Sequence, residues 1–224
     1  QQSAQPQQTK AGTQQKLKKK PIDAANLADI VINVHPKNVP YSLLALRRQW
    51  QGRLKLNAEV FTHSSIPESE LTEAAKDFTK KLMTVDDRQY VGLNITLIWK
   101  DVTTTEMVSS PSKLIPVYGE INIIRFLNRI GPNEFHYEIN NHEANLHDQV
   151  LDICYLLSKK HTNNERQQFV KQLSQRLGSD QFFNGSPSLT ISDIAVSSIL
   201  KKLLDDNAKG LPANLVSWIA NNSY

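Results

Sequence analysis

The sequence predicts an α/β half followed by an all-helical half. Strand and helix patterns alternate up to residue 131, and strand patterns stop after Pro132. A β-branched segment that ends at His35-Pro36 opens the ordered part, and four helical patterns close it. Alternating strands and helices build a covered sheet, whereas a run of helices builds a layer of its own. This order therefore restricts the chain to few fold classes.

The first half predicts the element order β-α-β-α-β-β-α. Ile30–Val34 is β-branched and predicts a strand. Tyr41–Gln51 has leucines at helical spacing behind Pro40, and Gly52 ends this helix. Leu54–Val60 alternates apolar and polar residues, which predicts a second strand, parallel to the first in a βαβ unit. The remaining predictions are a weaker helix at Ser69–Met83, strands at Leu93–Trp99 and Thr105–Val108, and a helix at Ile121–Ile130.

The second half predicts four helices. The first carries Leu146, Val150, Ile153 and Leu157 on one face, so Cys154 within it is expected to be buried packing rather than a reactive thiol. Pro at the first position of the last helix is favourable, and Trp218 falls on its apolar stripe. The predicted ranges are His142–Lys159, Asn164–Leu177, Thr190–Asp206 and Pro212–Asn221.

Composition divides the chain into three expected segments: a disordered Gln- and Lys-rich linker at 1–28, an α/β domain at 29–131 and a helical domain at 132–224. The formal net charge is +4, and five lysines with no acidic residue fall in the first twenty residues. The rest is therefore close to neutral. Such a tail is either a solvated linker or a weak RNA contact.

The single cysteine excludes an internal disulfide and suits a reducing compartment. No apolar run approaches the roughly 20 residues that span a bilayer, and no secretory signal opens the chain. We expect a protein of the cytoplasm, with the nucleus as an additional compartment and no membrane partner.

The most specific local pattern is Leu189-Thr190-Ile191-Ser192-Asp193-Ile194. Thr190 and Asp193 have the spacing of a capping box, and Leu189 and Ile194 that of a hydrophobic staple. This combination resembles the buried capping box of the glutathione transferase C-terminal domain. The first half then resembles the thioredoxin-like domain of the same family. The resemblance covers about Asp29–Asn221 and implies a glutathione-transferase-like fold.

The resemblance also bears on enzyme activity, because glutathione transferases bind glutathione through three recurrent sequence elements. Where the family has a Gln/Glu-Ser pair at the third helix, this chain has Gly119-Glu120, whose carboxylate would face that of the ligand. Where a cis-proline is expected, it reads Val102-Thr103-Thr104. Tyr41 or Ser42 could imitate the thiol activator, but the favoured register places Val39 there. We expect no enzyme, and an active transferase is the alternative.

Other catalytic interpretations are weaker. His142 and His147 are five residues apart, which is not the helical i, i+4 zinc spacing, and no cysteine accompanies them. His35 and His63 flank strands and are expected in turns. The chain has no glycine-rich phosphate loop. We therefore predict no catalytic residue, no metal and no cofactor.

Several longer strings resemble a narrower family, the non-catalytic scaffold proteins of the animal multi-aminoacyl-tRNA synthetase complex. The Gly119-Glu120 pair agrees with that family, and the missing proline at Thr103 departs from it at a vestigial ligand site. The strings are Asp29–Asn33, Ser42–Leu46, Thr62–Ser65, Leu97–Val102 and Leu211–Asn214.

This second resemblance implies partners. The transferase-like domain of such scaffolds docks glutamyl-prolyl-tRNA synthetase through the transferase-dimer face and also holds aspartyl-tRNA synthetase. Lysyl-tRNA synthetase binds an N-terminal segment that we expect to lie outside this sequence. The predicted docking residues are Arg125 and Asp152, with Arg129 and Asp148 as weaker candidates on the same helix faces. The alternative for each is a solvated residue or a pair within the chain.

Overall fold

The computed structural model describes residues 29–83, 92–109, 116–206 and 210–222, so the predicted linker at 1–28 lies outside the described residues. The predicted α/β half contains β1 (Ile30–Val34), α1 (Ser42–Gln49), β2 (Lys55–Thr62), α2 (Glu73–Leu82), β3 (Gly92–Trp99), β4 (Glu106–Val108), β5 (Val117–Tyr118) and α3 (Glu120–Ile130). The helical half contains α4 (Asn141–Leu157), α5 (Asn163–Leu177), α6 (Ile191–Asp205) and α7 (Ala213–Asn221).

The five strands form one mixed sheet in the order β2-β3-β1-β4-β5. Both β1 and β2 run parallel to β3, and β4 and β5 extend the sheet in antiparallel fashion. The predicted common direction of the first two strands is confirmed, but they are not neighbours because β3 lies between them. Strand β5 was not predicted, since two residues carry no periodicity.

The sheet is covered on one face. Ile30, Ile32 and Val34 of β1 are buried, whereas the alternating residues Val31 and Asn33 are only partly buried. On β3 the same alternation buries Leu93, Ile95, Leu97 and Trp99. Helix α2 lies on the buried face, because the rings of Phe78 and Trp99 meet edge to face at 5.9 Å. We call the opposite side the open sheet face.

Helix α6 forms the centre of the helical half. Every residue from Ile191 to Leu200 is buried, and the helix contacts α1, α3, α4 and α7. The predicted capping box is present: Asp193 Oδ2 accepts from the Thr190 amide at 2.8 Å, and Oδ1 accepts from the Phe183 amide at 2.8 Å. The buried positions predicted for Cys154 and Trp218 are also confirmed.

A close contact joins the ends of α1 and α3. A Cβ atom added at Gly131 would lie 2.6 Å from Cζ2 of the fully buried Trp50, so only glycine fits there. Among the described residues no helix is both long and apolar enough to cross a membrane.

Candidate protein-docking surface

Helices α3 and α4 lie side by side in opposite directions. The start of α3 meets the end of α4, where a Cβ at Gly119 would contact the Tyr155 ring at 3.7 Å. The end of α3 meets the segment before α4, where Arg129 pairs with Glu138. We call the outer side of this pair the α3–α4 face; it comprises Tyr118, Arg125, Arg129, Glu138, Asp148, Asp152 and Leu156.

Arg125 is the centre of the α3–α4 face. Its Nη2 lies 2.7 Å from Asp152 Oδ1 and 3.3 Å from Asp148 Oδ1. The Arg125 side chain is 16% exposed, against 68% for Asp152 and 44% for Asp148. Burial lowers the pKa of the guanidinium, but the hydrogen bond and charge of Asp152 outweigh this, so the pKa is raised. The Arg125 guanidinium therefore turns along α4 into ion pairs within the chain, and its role in docking stays a prediction.

The two carboxylates differ in how firmly they are held. Asp148 also accepts a hydrogen bond from the Tyr137 hydroxyl at 3.0 Å. Burial, followed by the charge of Asp148, raises the pKa of Tyr137 to about 12. Asp152 Oδ2 has no hydrogen bond from the part of the chain that the structure describes. Asp152 is thus the group on this face best placed to accept from a partner.

Arg129 makes a second ion pair at the edge of the face. Its Nη2 donates to Glu138 Oε1 at 2.6 Å, and its Nε donates to Oε2 of the same carboxylate at 3.1 Å. Fork-like pairs of this kind fix geometry as well as charge. The four predicted residues therefore fall into two neighbouring clusters: Arg125 with Asp148 and Asp152, and Arg129 with Glu138. Sequence reasoning missed Glu138.

Apolar side chains flank these charges. Leu156 is 44% exposed and Tyr118 is 55% exposed, at the end of the face where β5 leads into α3. Leu156 lies one helical turn after Asp152, a spacing that could have identified it from the sequence. Exposed apolar residues beside charges are common at protein-binding surfaces. Whether the face binds a partner stays a prediction.

The chain itself engages the residue that the sequence resemblance places at the ligand position of glutathione transferases. Glu120, the first residue of α3, is 5% exposed and lies between the two halves. Its Oε1 accepts from the hydroxyls of Ser42 at 2.5 Å and Ser198 at 2.6 Å, and its Oε2 pairs with Lys202. Burial raises the pKa of this carboxyl, but the charge of Lys202 outweighs it, and the pKa is lowered.

Tyr41, the other hydroxyl considered as a thiol activator, is also engaged. It donates to Asp205 at 2.5 Å across the cleft between α1 and α6. Burial, followed by this hydrogen bond, raises the pKa of Tyr41. The adjoining cavity of about 350 Å³ is lined by both of these residues together with Phe78 and Lys201. The Tyr41 hydroxyl proton is thus donated within the chain, to the Asp205 carboxylate.

Within the described ranges, no three His, Cys, Asp or Glu side chains are grouped as a metal site would need. His147 instead contacts the Ser192 hydroxyl at 2.8 Å in the core, and burial lowers its pKa. Burial raises the pKa of the Cys154 thiol, which is typical of an unreactive cysteine.

Residues 25–118 match the family model of a thioredoxin-like domain. The chain is 39% identical over 193 residues to the probable aminoacyl tRNA synthase complex-interacting multifunctional protein 2 of Drosophila melanogaster, covering 86% of this chain and 57% of that protein. It is 32% identical over 200 residues to the Homo sapiens protein of that name, covering 88% of this chain and 59% of the relative.

The chain thus spans less than two thirds of the length of these relatives. Among solved structures, it is similar to a theta class glutathione S-transferase from Xanthomonas axonopodis pv. citri with glutathione bound. That likeness has a TM-score of 0.48 and 10% identity, over 90% of this chain and 92% of the other.

Proposed function

Since this chain is a homologue of the fly and mammalian proteins named aminoacyl tRNA synthase complex-interacting multifunctional protein 2, we propose that it is a non-catalytic scaffold subunit of a multi-aminoacyl-tRNA synthetase complex. The proposal rests on the names of these relatives, which describe interaction with the synthetase complex. The predicted cytoplasmic location is part of it. The proposed partners of the transferase-like region are glutamyl-prolyl-tRNA synthetase and aspartyl-tRNA synthetase.

The absence of catalysis is supported by the groups that fill the former ligand site. Glutathione would need a cationic or amide-rich pocket for its γ-glutamyl carboxylate. Here the buried Glu120 carboxylate already occupies the start of α3 and takes both nearby serine hydroxyls. A second carboxylate at that place would be repelled.

The proposed absence of transferase activity can be tested directly. The purified chain is passed over immobilised glutathione and assayed for conjugation of glutathione to an electrophile. We expect neither retention nor conjugation above the uncatalysed rate. Retention together with turnover would establish the alternative, an active transferase.

Docking is proposed to use the α3–α4 face. Arg125, Asp148 and Asp152 together carry one net negative charge, and Asp152 presents its carboxylate to solvent. A partner arginine can add to this group as a charge-assisted hydrogen bond, while Leu156 and Tyr118 supply apolar contact at one side. The chemistry favours a partner surface that is basic at its centre and apolar at its edge.

The docking experiment measures association with the transferase-like domain of glutamyl-prolyl-tRNA synthetase by size-exclusion chromatography and calorimetry. Asp152→Ala should weaken binding by about 2–5 kcal/mol if its carboxylate is desolvated against a partner arginine. Its melting temperature should change little, because the side chain is 68% exposed. Arg125→Ala should weaken binding and also lower stability, since it leaves two carboxylates without their cation.

Asp77 provides a matched control. It is an exposed aspartate on α2 that pairs with Lys81 at 3.0 Å, away from α3 and α4. Asp77→Ala should leave the affinity unchanged. Equal affinity of Asp152→Ala and the parent chain would remove the α3–α4 face from the proposal while leaving the scaffold function open to another surface.

A further inference from the structure

Strand β2 forms one edge of the sheet. Its eight residues, Lys55–Thr62, pair with β3 on one side only, and no described strand pairs with the other side. Phe61, near the end of the strand, is 53% exposed. Long edges with apolar residues invite a further strand unless side chains oppose it.

The groups that point outward from β2 can be assigned. The His63 amide donates to the Trp99 carbonyl of β3 at 2.9 Å. Because amides alternate in direction along a strand, the odd-numbered residues of β2 point to β3. Leu56, Ala58 and Val60 therefore present their N–H and C=O groups at the free edge. The main-chain partners that a new strand needs are all present.

The side chains of β2 are self-complementary, so that two copies of the strand can match each other. Lys55 and Glu59 lie on the open sheet face, two residues to either side of Asn57, and neither has an ion-pair partner in the described ranges. On the other face the edge is apolar: Leu54 and Leu56 are buried, and Ala58 and Val60 are partly buried. A second β2 strand, placed antiparallel to the first, therefore matches it on both faces of the sheet.

We propose that β2 pairs with β2 of a second copy of this chain, antiparallel about a two-fold axis at Asn57. In this register Lys55 lies opposite Glu59 of the other copy, twice by symmetry. Leu56 lies opposite Ala58 and Leu54 opposite Val60 on the covered face. The even-numbered residues then exchange backbone hydrogen bonds, which agrees with the direction of their amides.

The register follows from the charges. An axis at Glu59 would place two like charges in direct opposition, which is unfavourable between strands. An axis at Ala58 would leave Lys55 opposite Phe61 and Glu59 opposite Asn57, without an ion pair. Of these three axes, the one at Asn57 alone joins opposite charges on one face and apolar residues on the other.

The proposed contact is independent of synthetase docking. Strands β2 and β5 are the opposite edges of the sheet, and α3 follows β5. A dimer through β2 therefore leaves the α3–α4 face of each copy free. The small area of one strand pair implies a weak, transient dimer.

The test measures self-association of the full 224-residue chain by sedimentation equilibrium over a wide concentration range. Lys55→Glu and Glu59→Lys should each raise the dimer Kd by about tenfold or more, since each turns two attractive pairs into repulsive ones. The double variant with both changes should restore the parent Kd, because the charges are exchanged and not lost. Circular dichroism verifies that each variant is folded.

A second variant reports the register. Asn57→Cys places two thiols at a pair without backbone hydrogen bonds, where Cα atoms approach to about 4.5 Å, close enough for a disulfide. The native Cys154 is buried and does not compete. We expect a covalent dimer under mild oxidation, and none from Asp77→Cys on α2. A chain that stays monomeric throughout, or single charge variants that are not rescued by the double one, would overturn the proposal.

Discussion

Replacement of Glu120 by glutamine tests whether this buried carboxylate holds the two halves together. The carboxylate joins α3 to α1 through the amide and hydroxyl of Ser42, and to α6 through Ser198 and Lys202. The side chains of Glu120 and Lys202 are 4% and 15% exposed. Solvent therefore screens this pair little.

The expected cost follows from these contacts. Loss of one partner of a buried ion pair costs about 3–5 kcal/mol, because the other charge stays buried. Lys202 keeps a hydrogen bond to Asn38 at 2.7 Å, and glutamine keeps one acceptor oxygen for the serines. We therefore expect Glu120→Gln to lower the free energy of unfolding by about 3 kcal/mol, the lower end of that range.

The assay is urea unfolding followed by tryptophan fluorescence, with Glu134→Gln as the control. Glu134 pairs with Arg53 at the surface, where both side chains are about half exposed, so its loss should cost less than about 1 kcal/mol. The two variants remove the same charge from different environments. Equal losses of stability would refute a structural role for Glu120.

The stability difference between the parent chain and Glu120→Gln should also depend on pH. The folded-state pKa of Glu120 is lowered below its ordinary value of 4.5. The contribution of Glu120 to the free energy of unfolding is therefore complete above its unfolded-state pKa. It is lost as the pH falls through the lower folded-state pKa. The difference between the parent chain and Glu120→Gln should be constant near neutral pH and shrink in acid below about pH 4.5.

Three further predictions concern single features. Asp193→Ala should lower the melting temperature by about 5–10 °C in a thermal scan, because the amides of Thr190 and Phe183 lose their buried acceptor; a shift below about 2 °C would contradict this. Gly131→Ala should cost about 1–3 kcal/mol in urea unfolding because a methyl group cannot fit against Trp50, whereas Gly52→Ala, where nothing lies within 4 Å but φ is +81°, should act only through the backbone. Deletion of residues 1–20 should abolish any salt-dependent RNA binding in a filter assay, and RNA binding that survives the deletion would exclude the lysine tail as its cause.

The order and type of the long elements could be predicted from the sequence. Alternating apolar and β-branched segments predicted four of the strands within the described residues. Apolar residues at helical spacing predicted all seven α-helices there. The predicted boundaries differ by a few residues, as for Tyr41–Gln51 against Ser42–Gln49, because helix ends depend on local hydrogen bonds. The place of β3 between β1 and β2 could not be predicted, since local patterns do not specify which strands pair.

The candidate surface was predictable in position but not in arrangement. Helical spacing placed Arg125 and Asp152 off the apolar stripes of their helices, and the structure has them on one face. It did not indicate that they pair with each other, because that requires the antiparallel packing of α3 on α4. Glu120 was predicted to be incompatible with the ligand, but its partners Ser198 and Lys202 come from a helix some eighty residues away.

The position of β3 has a consequence for how this protein is made. When a ribosome has released β1, α1 and β2, neither strand yet has its lateral neighbour, because the segment that separates them is synthesised later. The central layer can therefore close only after residue 99 has emerged, and until then apolar residues of both strands are open to chaperones and to other nascent chains. Stalled translation between residues 62 and 92 should accordingly give an aggregation-prone intermediate.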